Sequence, residues 1–254
     1  GIGIWHVGRL GHYPQLLWSA TNRGDVSQLA HIGCKSFVIY LLYFEYRKRR
    51  IQMLSYQTVE PHTLELLRKL MAHPLLSSTR LVGGTALALQ YGHRMSIDLD
   101  FFGKIEDDAD TMREILRQIG SLSIIKESPN IKIYLLDGIK LDFVNYKYQW
   151  IDTPIEVDHL RLASPCDIAA MKINAIEGRG TKKDFIDMYF LLQHYSLKEV
   201  LDFYARKYPE NSMFRALMSL SYFEDAEEQI MPKMFSSVTW EEMKQFITAQ
   251  VSRL

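Results

Sequence analysis

The sequence predicts an α+β protein: a small mixed sheet flanked by helices, followed by a C-terminal helical bundle. Three observations predict it. Between residues 80 and 158, short apolar or alternating runs are broken by turn residues and interleaved with two helical stretches. Asp137-Gly138 separates two alternating runs, a strong signal for a two-residue hairpin. From Ser164 onward the pattern is helical throughout.

The elements follow in order. Residues 58–71 read as an amphipathic helix: Leu64, Leu67, Leu70 and Met71 recur at helical spacing, and Pro61 falls in the first turn, where it is tolerated. Residues 80–82 form a short strand entering Gly83-Gly84, and residues 85–91 a short helix. Residues 96–102 (SIDLDFF) are a strand, and residues 110–119 a helix ended by Gly120. Strands follow at 122–126, 131–136 and 139–146, with a short one at 155–158. Ser164-Pro165-Cys166-Asp167 carries a cap, a proline at the first helical position and an acid three residues after the cap, opening a helix to about residue 177. Thr181 to Asp184 repeats the capping spacing and opens a helix to about residue 194. Three or four further helices fill residues 197–254.

Composition changes near residue 52. Residues 1–52 hold seven Lys/Arg against two Asp/Glu, a net charge of +5, so the remainder of this neutral chain carries −5. All eleven methionines lie at Met53 or later. Residues 1–52 are therefore read as an N-terminal extension, either an upstream translation or poorly ordered segment, or a genuine arm. Residues 53–160 are read as the core domain, and 161–254 as a helical region that completes the site. The longest apolar run, residues 37–44, is far shorter than the ~20 residues a membrane helix needs. The basic stretch follows that run, whereas a signal peptide places it before. Two cysteines make no disulfide framework, so no membrane association and a cytoplasmic location are expected.

Side chains alternate across a strand, so Asp98 and Asp100 share one face, with Ile97, Leu99 and Phe101 on the other. Asp142 lies between Leu141 and Phe143 on the strand after the hairpin. A lone Asp-x-Asp is more often a solvated strand face. Here three carboxylates on adjacent strands could instead hold two magnesium ions, since hard cations take oxygen ligands. Gly83-Gly84 at a strand-to-helix junction lets backbone approach phosphates at a helix N-terminus, and Thr85 adds a hydroxyl.

The run LVGGTALALQYGHRMSIDLDFF resembles the nucleotidyltransferase fold of the DNA polymerase β superfamily, and more closely the AbiEii/MenT-type toxin nucleotidyltransferases of bacterial toxin–antitoxin and phage-defence systems. The first motif of that family corresponds to Gly83-Gly84 and Asp98-x-Asp100. A later strand Asp corresponds to Asp142, a helical Asp and Lys to Asp167 and Lys172, and the final motif to Lys183-Asp184-Phe185-Ile186-Asp187. The likeness spans roughly residues 61–195. It implies a polymerase β-like core, an NTP substrate, magnesium, and nucleotidyl transfer to an acceptor such as tRNA, another RNA or protein. It also implies a winged-helix antitoxin as partner.

With that resemblance, Lys172 is read as a triphosphate-neutralising catalytic residue, where alone it would be a solvated helix lysine. Asp187, which no cap needs, would orient Lys172 or a substrate hydroxyl; Asp184 doubles as a capping acid and a nucleotide-site residue. Arg179, Lys182 and Lys183 form a basic knot that suits phosphates or an ordinary solvated loop equally. Arg94 is expected on a phosphate, and Ser96 on a metal-bound water or as a strand cap. His93 reads as a plain loop residue. Cys166 is expected to be somewhat acidified by its helix start, yet structural. Two other functions remain: a catalytically inactive binding module of the same fold, and an antibiotic-type small-molecule nucleotidyltransferase.

Overall fold

A computed structural model describes residues 53–105 and 109–254 of the chain. The expectation for residues 1–52 lies outside the described residues. Helix α1 (Pro61–Ala72) starts with proline at its first position and buries Leu66, Leu67, Leu70 and Met71. Strand β1 (Thr79–Val82) then runs into Gly83, where helix α2 (Gly83–Tyr91) begins. Next come β2 (Leu99–Gly103), α3 (Ala109–Ile119), and strands β3 (Leu122–Glu127), β4 (Ile131–Leu136) and β5 (Ile139–Asn145). A second hairpin, β6 (Ile155–Val157) and β7 (Leu160–Leu162), closes the sheet-forming part; the sequence reading missed β7. Helices α4 (Pro165–Gly178), α5 (Lys182–Leu192), α6 (Leu197–Lys207), α7 (Met213–Ser219), α8 (Glu224–Glu227) and α9 (Trp240–Val251) complete the chain.

The seven strands form one mixed sheet in the order β3-β4-β5-β2-β1-β7-β6. The Asp-Gly hairpin is present, with positive φ at both Asp137 and Gly138 as a primed turn demands. Strands β2 and β5 lie side by side and parallel at the centre. Both alternate strictly: Leu99, Phe101, Leu141 and Phe143 are buried, and the Phe101 and Phe143 rings stack at 5.2 Å. With Tyr134, Leu136, and Met112 and Leu116 from α3 they belong to the hydrophobic core of the described residues. The intervening positions, Asp100 and Asp142 among them, point to the opposite and more open face.

The Asp-x-Asp strand is shorter than expected. It begins at Leu99 rather than residue 96, because β1 ends at Val82, paired to Asp100, where the chain turns into α2. Asp98 therefore precedes the ladder, and Ile97, expected on the buried face, is 53% exposed. The approach to the strand is held by other segments: Ser96 N–H donates to the Thr58 carbonyl at 2.9 Å, Met95 N–H to Lys233 at 2.8 Å, and Phe235 N–H to His93 at 2.9 Å. Residues near 234, far along the helical tail, thus brace the loop that delivers the carboxylates. Ser164 caps α4, and capping boxes open α5, α6 and α9. No helix among the described residues is long and apolar enough to cross a membrane.

Candidate active site

Asp100 and Asp142 are directly paired in register on the adjacent parallel strands β2 and β5. Burial, together with the neighbouring Asp142 charge, pushes the Asp100 carboxyl up to about 7. Two acids so placed resist joint ionisation unless a cation joins them. Lys140, two residues before Asp142, supplies one: its Nζ donates to both Asp142 carboxylate oxygens, at 2.6 and 2.7 Å. Among the described residues no three Asp, Glu, His or Cys side chains form a preformed metal cage. The donor set nevertheless fits a hard cation: carboxylate oxygens on neighbouring strands, with Asp98 flanking them and like-charge repulsion to relieve.

The glycine pair has a steric purpose that spacing alone did not reveal. Gly83 has φ +68°, and a Cβ there would fall 2.4 Å from Asp100 Oδ2. A Cβ on Gly84 would fall 2.2 Å from Arg94 Nη2. The two glycines thus make room for a carboxylate and a guanidinium at the mouth of α2. Gly83→Ala is expected to cost about 1–3 kcal/mol through left-handed strain and the displaced carboxylate. Thermal melting checks this; a variant melting with the wild-type protein would show that the crowding is absent.

Several expected ligands are turned inward. The Thr85 hydroxyl is buried and faces Ser96 Oγ at 2.8 Å and the Asp98 carbonyl, so it ties α2 to the Asp-x-Asp segment rather than offering itself to a phosphate. Ser96 is its partner, not a strand cap. Arg94, expected on a phosphate, is 2% exposed and grips Asp187 in a fork, Nε to Oδ1 at 2.7 Å and Nη2 to Oδ2 at 2.8 Å. Its remaining Nη1 donates to the Met95 carbonyl. A phosphate cannot reach it without breaking this arrangement.

Asp187 is the centre of a buried charge network. It also accepts from Lys172 Nζ at 2.6 Å and from His93 Nε2 at 2.8 Å. Burial alone would raise its pKa, but the Arg94 and Lys172 charges outweigh that and hold it well below the carboxylate range. His93, read as a plain loop residue, is buried against Phe190 with ring centroids 4.8 Å apart; its Nδ1 has no hydrogen-bond partner. Burial pulls its pKa down, which leaves a neutral ring donating through Nε2. The sequence signal for this role was Asp187 itself, an acid inside the apolar stretch FIDMYF that had to find partners.

Lys172 bridges Asp187 and Asp184, whose Oδ1 it meets at 2.9 Å. Asp184 completes the capping box with Thr181 as expected and also receives Arg179. The basic knot is therefore divided. Arg179 binds Asp184, Lys182 is buried with Nζ on the Glu227 carbonyl at 2.9 Å and over the Trp240 ring, and Lys183 is an exposed cation on the first turn of α5. Asp167 lies apart, fully buried, where it accepts from Lys207 Nζ, Ser164 Oγ and the backbone of residues 151 and 152. It anchors α4 to α6. Burial raises the Cys166 thiol pKa, reversing the expected acidification, while the thiol faces Tyr195 at 3.7 Å.

A mixed sheet with an Asp-x-Asp entering its central strand beside a Gly-Gly strand-to-helix turn is the architecture of a nucleotidyltransferase fold. The family model described as "Nucleotidyl transferase AbiEii toxin, Type IV TA system" matches residues 65–252, and the chain belongs to that family. An uncharacterised Aquifex aeolicus protein, aq_aa25, is 38% identical over 194 residues, covering 74% of this chain and 93% of that one. Among solved structures, JHP933 from Helicobacter pylori aligns at 19% identity with TM-score 0.46, covering 77% of this chain and 92% of that one. A second H. pylori protein, provisionally described as a nucleotidyltransferase, aligns at 20% identity with TM-score 0.47, covering 76% and 95%.

Proposed function

We propose that the chain transfers a nucleotidyl group from an NTP to a hydroxyl acceptor, with magnesium held by Asp98, Asp100 and Asp142. The observation that carries this reading is the in-register Asp100–Asp142 pair beside a glycine cleared for Asp100. The acceptor oxygen bonds to the α-phosphorus as the bond to the β-phosphate bridge breaks. Pyrophosphate leaves with that electron pair, and the hydroxyl proton passes to solvent. Bound at two positions, magnesium would lower the pKa of the acceptor hydroxyl and neutralise the triphosphate.

The chain's own residues position the reactants. Beside Asp100 and Arg94, the backbone N–H groups of Gly83 and Gly84 at the N-terminus of α2 are read as the contacts for phosphate oxygens. Lys172 spends two of its three N–H donors on Asp184 and Asp187, which leaves one for a phosphate. Lys172, Asp184 and Asp187 all come from residues 161–254, so that helical region completes a site begun by residues 53–160. Residues 1–52 stand outside this division as an extension. Lys183, exposed on the first turn of α5, is read as a contact for an NTP or RNA phosphate.

The acceptor class we favour is RNA such as tRNA, with protein second. The physiological setting is a cytoplasmic toxin with a winged-helix antitoxin, in a toxin–antitoxin or phage-defence system. One observation favours an inactive binding module instead: Lys140 already engages both oxygens of Asp142. Incubating the protein with each α-labelled NTP, magnesium, and separate pools of RNA and protein decides between them. Label is expected in a single pool from a preferred NTP. Absence of label from both pools under all four NTPs would support the inactive module.

A further inference from the structure

Arg179 differs from the other cations of the network. Arg94 and Lys172 are buried, whereas the Arg179 side chain is 67% exposed at the C-terminal end of α4. Its position is nevertheless fixed. Nε donates to Asp184 Oδ2 at 2.9 Å and Nη2 to Oδ1 at 3.1 Å, a two-pronged grip on a fully buried carboxylate. Asp184 Oδ1 simultaneously accepts from Lys172 Nζ at 2.9 Å, so the guanidinium and the ammonium share one oxygen. Asp184 does not need the second cation, because Lys172, the Thr181 hydroxyl at 2.6 Å and the capping backbone already satisfy it.

Two of the five guanidinium N–H donors are used on Asp184, and three remain for solvent or a ligand. An exposed ion pair alone contributes only about 0–1 kcal/mol. The location gives the surplus charge a use. A Cβ on Gly83 would meet Asp100, and one on the adjoining Gly84 would lie 3.4 Å from Asp187 Oδ2, which Lys172 Nζ holds at 2.6 Å; Lys172, with Arg179 on the same Asp184 oxygen, therefore stands beside the carboxylate site. A planar fork with free donors, oriented by a buried acid, suits tetrahedral phosphate oxygens.

We propose that Arg179 is a triphosphate ligand: Asp184 holds it beside Lys172 so that its free N–H donors meet the β- and γ-phosphates of the bound NTP. This rests on the reading of Asp98, Asp100 and Asp142 as the NTP site. In that arrangement Asp184 presents rather than binds the nucleotide. It is a positioning residue for two cations, which revises its expected place in the nucleotide site.

The test uses the full chain with magnesium and calorimetric binding of α,β-methylene analogues of the four NTPs, with the matching nucleoside monophosphates. Arg179→Ala is expected to weaken the best-bound triphosphate analogue by about tenfold to a hundredfold, the loss for hydrogen bonds to a charged group. Monophosphate binding should change by less than about twofold, and Arg179→Lys, which keeps the charge but loses the fork, should fall between. Equal loss of mono- and triphosphate binding, or loss of neither, overturns the proposal. Asp100→Ala separates the two levels. If triphosphate binding survives that change, or the wild-type protein binds none of the four analogues, the carboxylate site itself is misread. If Asp100→Ala abolishes binding and Arg179→Ala does not alter it, only the role of Arg179 fails.

Discussion

Asp187→Ala is expected to lower folding stability by about 3–5 kcal/mol, the cost of leaving buried charges without their partner. The substitution strands Arg94, which loses both prongs of its fork, and leaves Lys172 with Asp184 alone. His93 loses the acceptor for its Nε2–H. For a domain of about 200 residues the melting temperature should fall by roughly 6–20 °C. The double variant Asp187→Ala/Arg94→Met should be less damaged than the sum of its single changes, because it removes a charge together with its partner. A loss below about 1 kcal/mol in denaturant titration would contradict the network.

The same network sets an acid limit. Asp184 and Asp187 are both held below the ordinary carboxylate range, by the Lys172 charge with Arg179 in one case and by Arg94 with Lys172 in the other, each against the opposing effect of burial. Depressed carboxylates contribute stability that is fully present above pH about 4 and is lost as pH falls through their folded-state values. Asp187→Ala should flatten the acid limb of the stability profile.

How much of this was legible beforehand differs by residue. The hairpin at Asp137-Gly138, the Thr181–Asp184 capping box and the alternation around Asp142 follow from local rules, and they appear where the spacing places them. Strand β7 escaped notice because three residues, Leu160–Leu162, carry no period. Gly83-Gly84 was readable as a junction, but the reason for two glycines lies in Asp100 and Arg94, 17 and 10 residues further along the chain. A basic residue beside carboxylates, such as Arg94, invites a phosphate-binding reading. Its true partner, Asp187, is 93 residues away on α5. Buried ion networks join residues that no local periodicity links, so the resemblance picks out Lys172 and Asp187 without showing that Arg94 and His93 hold Asp187.

Asp100→Asn is expected to reduce nucleotidyl transfer by at least about 10²–10³-fold, the scale of removing one preorganised charge contact. The fold should tolerate it well. In the metal-free protein Asp100 is a half-buried acid against Asp142, with its carboxyl raised to about 7. A raised carboxylate penalises the folded state as pH climbs above about 4, and the penalty grows until the folded-state value is passed. The asparagine variant should therefore match the parent near pH 4 and melt higher near pH 8 when metal is absent. Loss of activity with gain of stability separates a functional carboxylate from a structural one. Asp187→Ala should do the reverse for stability.

Transfer from α-labelled NTP, measured against magnesium concentration for the wild-type protein and for Asp98→Ala and Asp100→Ala, tests the central claim most directly. The expected result is metal-dependent labelling of an acceptor by the wild-type protein, abolished by either substitution while both variants stay folded. Labelling that needs no divalent cation, or that survives both substitutions, would contradict the assignment of Asp98 and Asp100 as the residues that hold the metal.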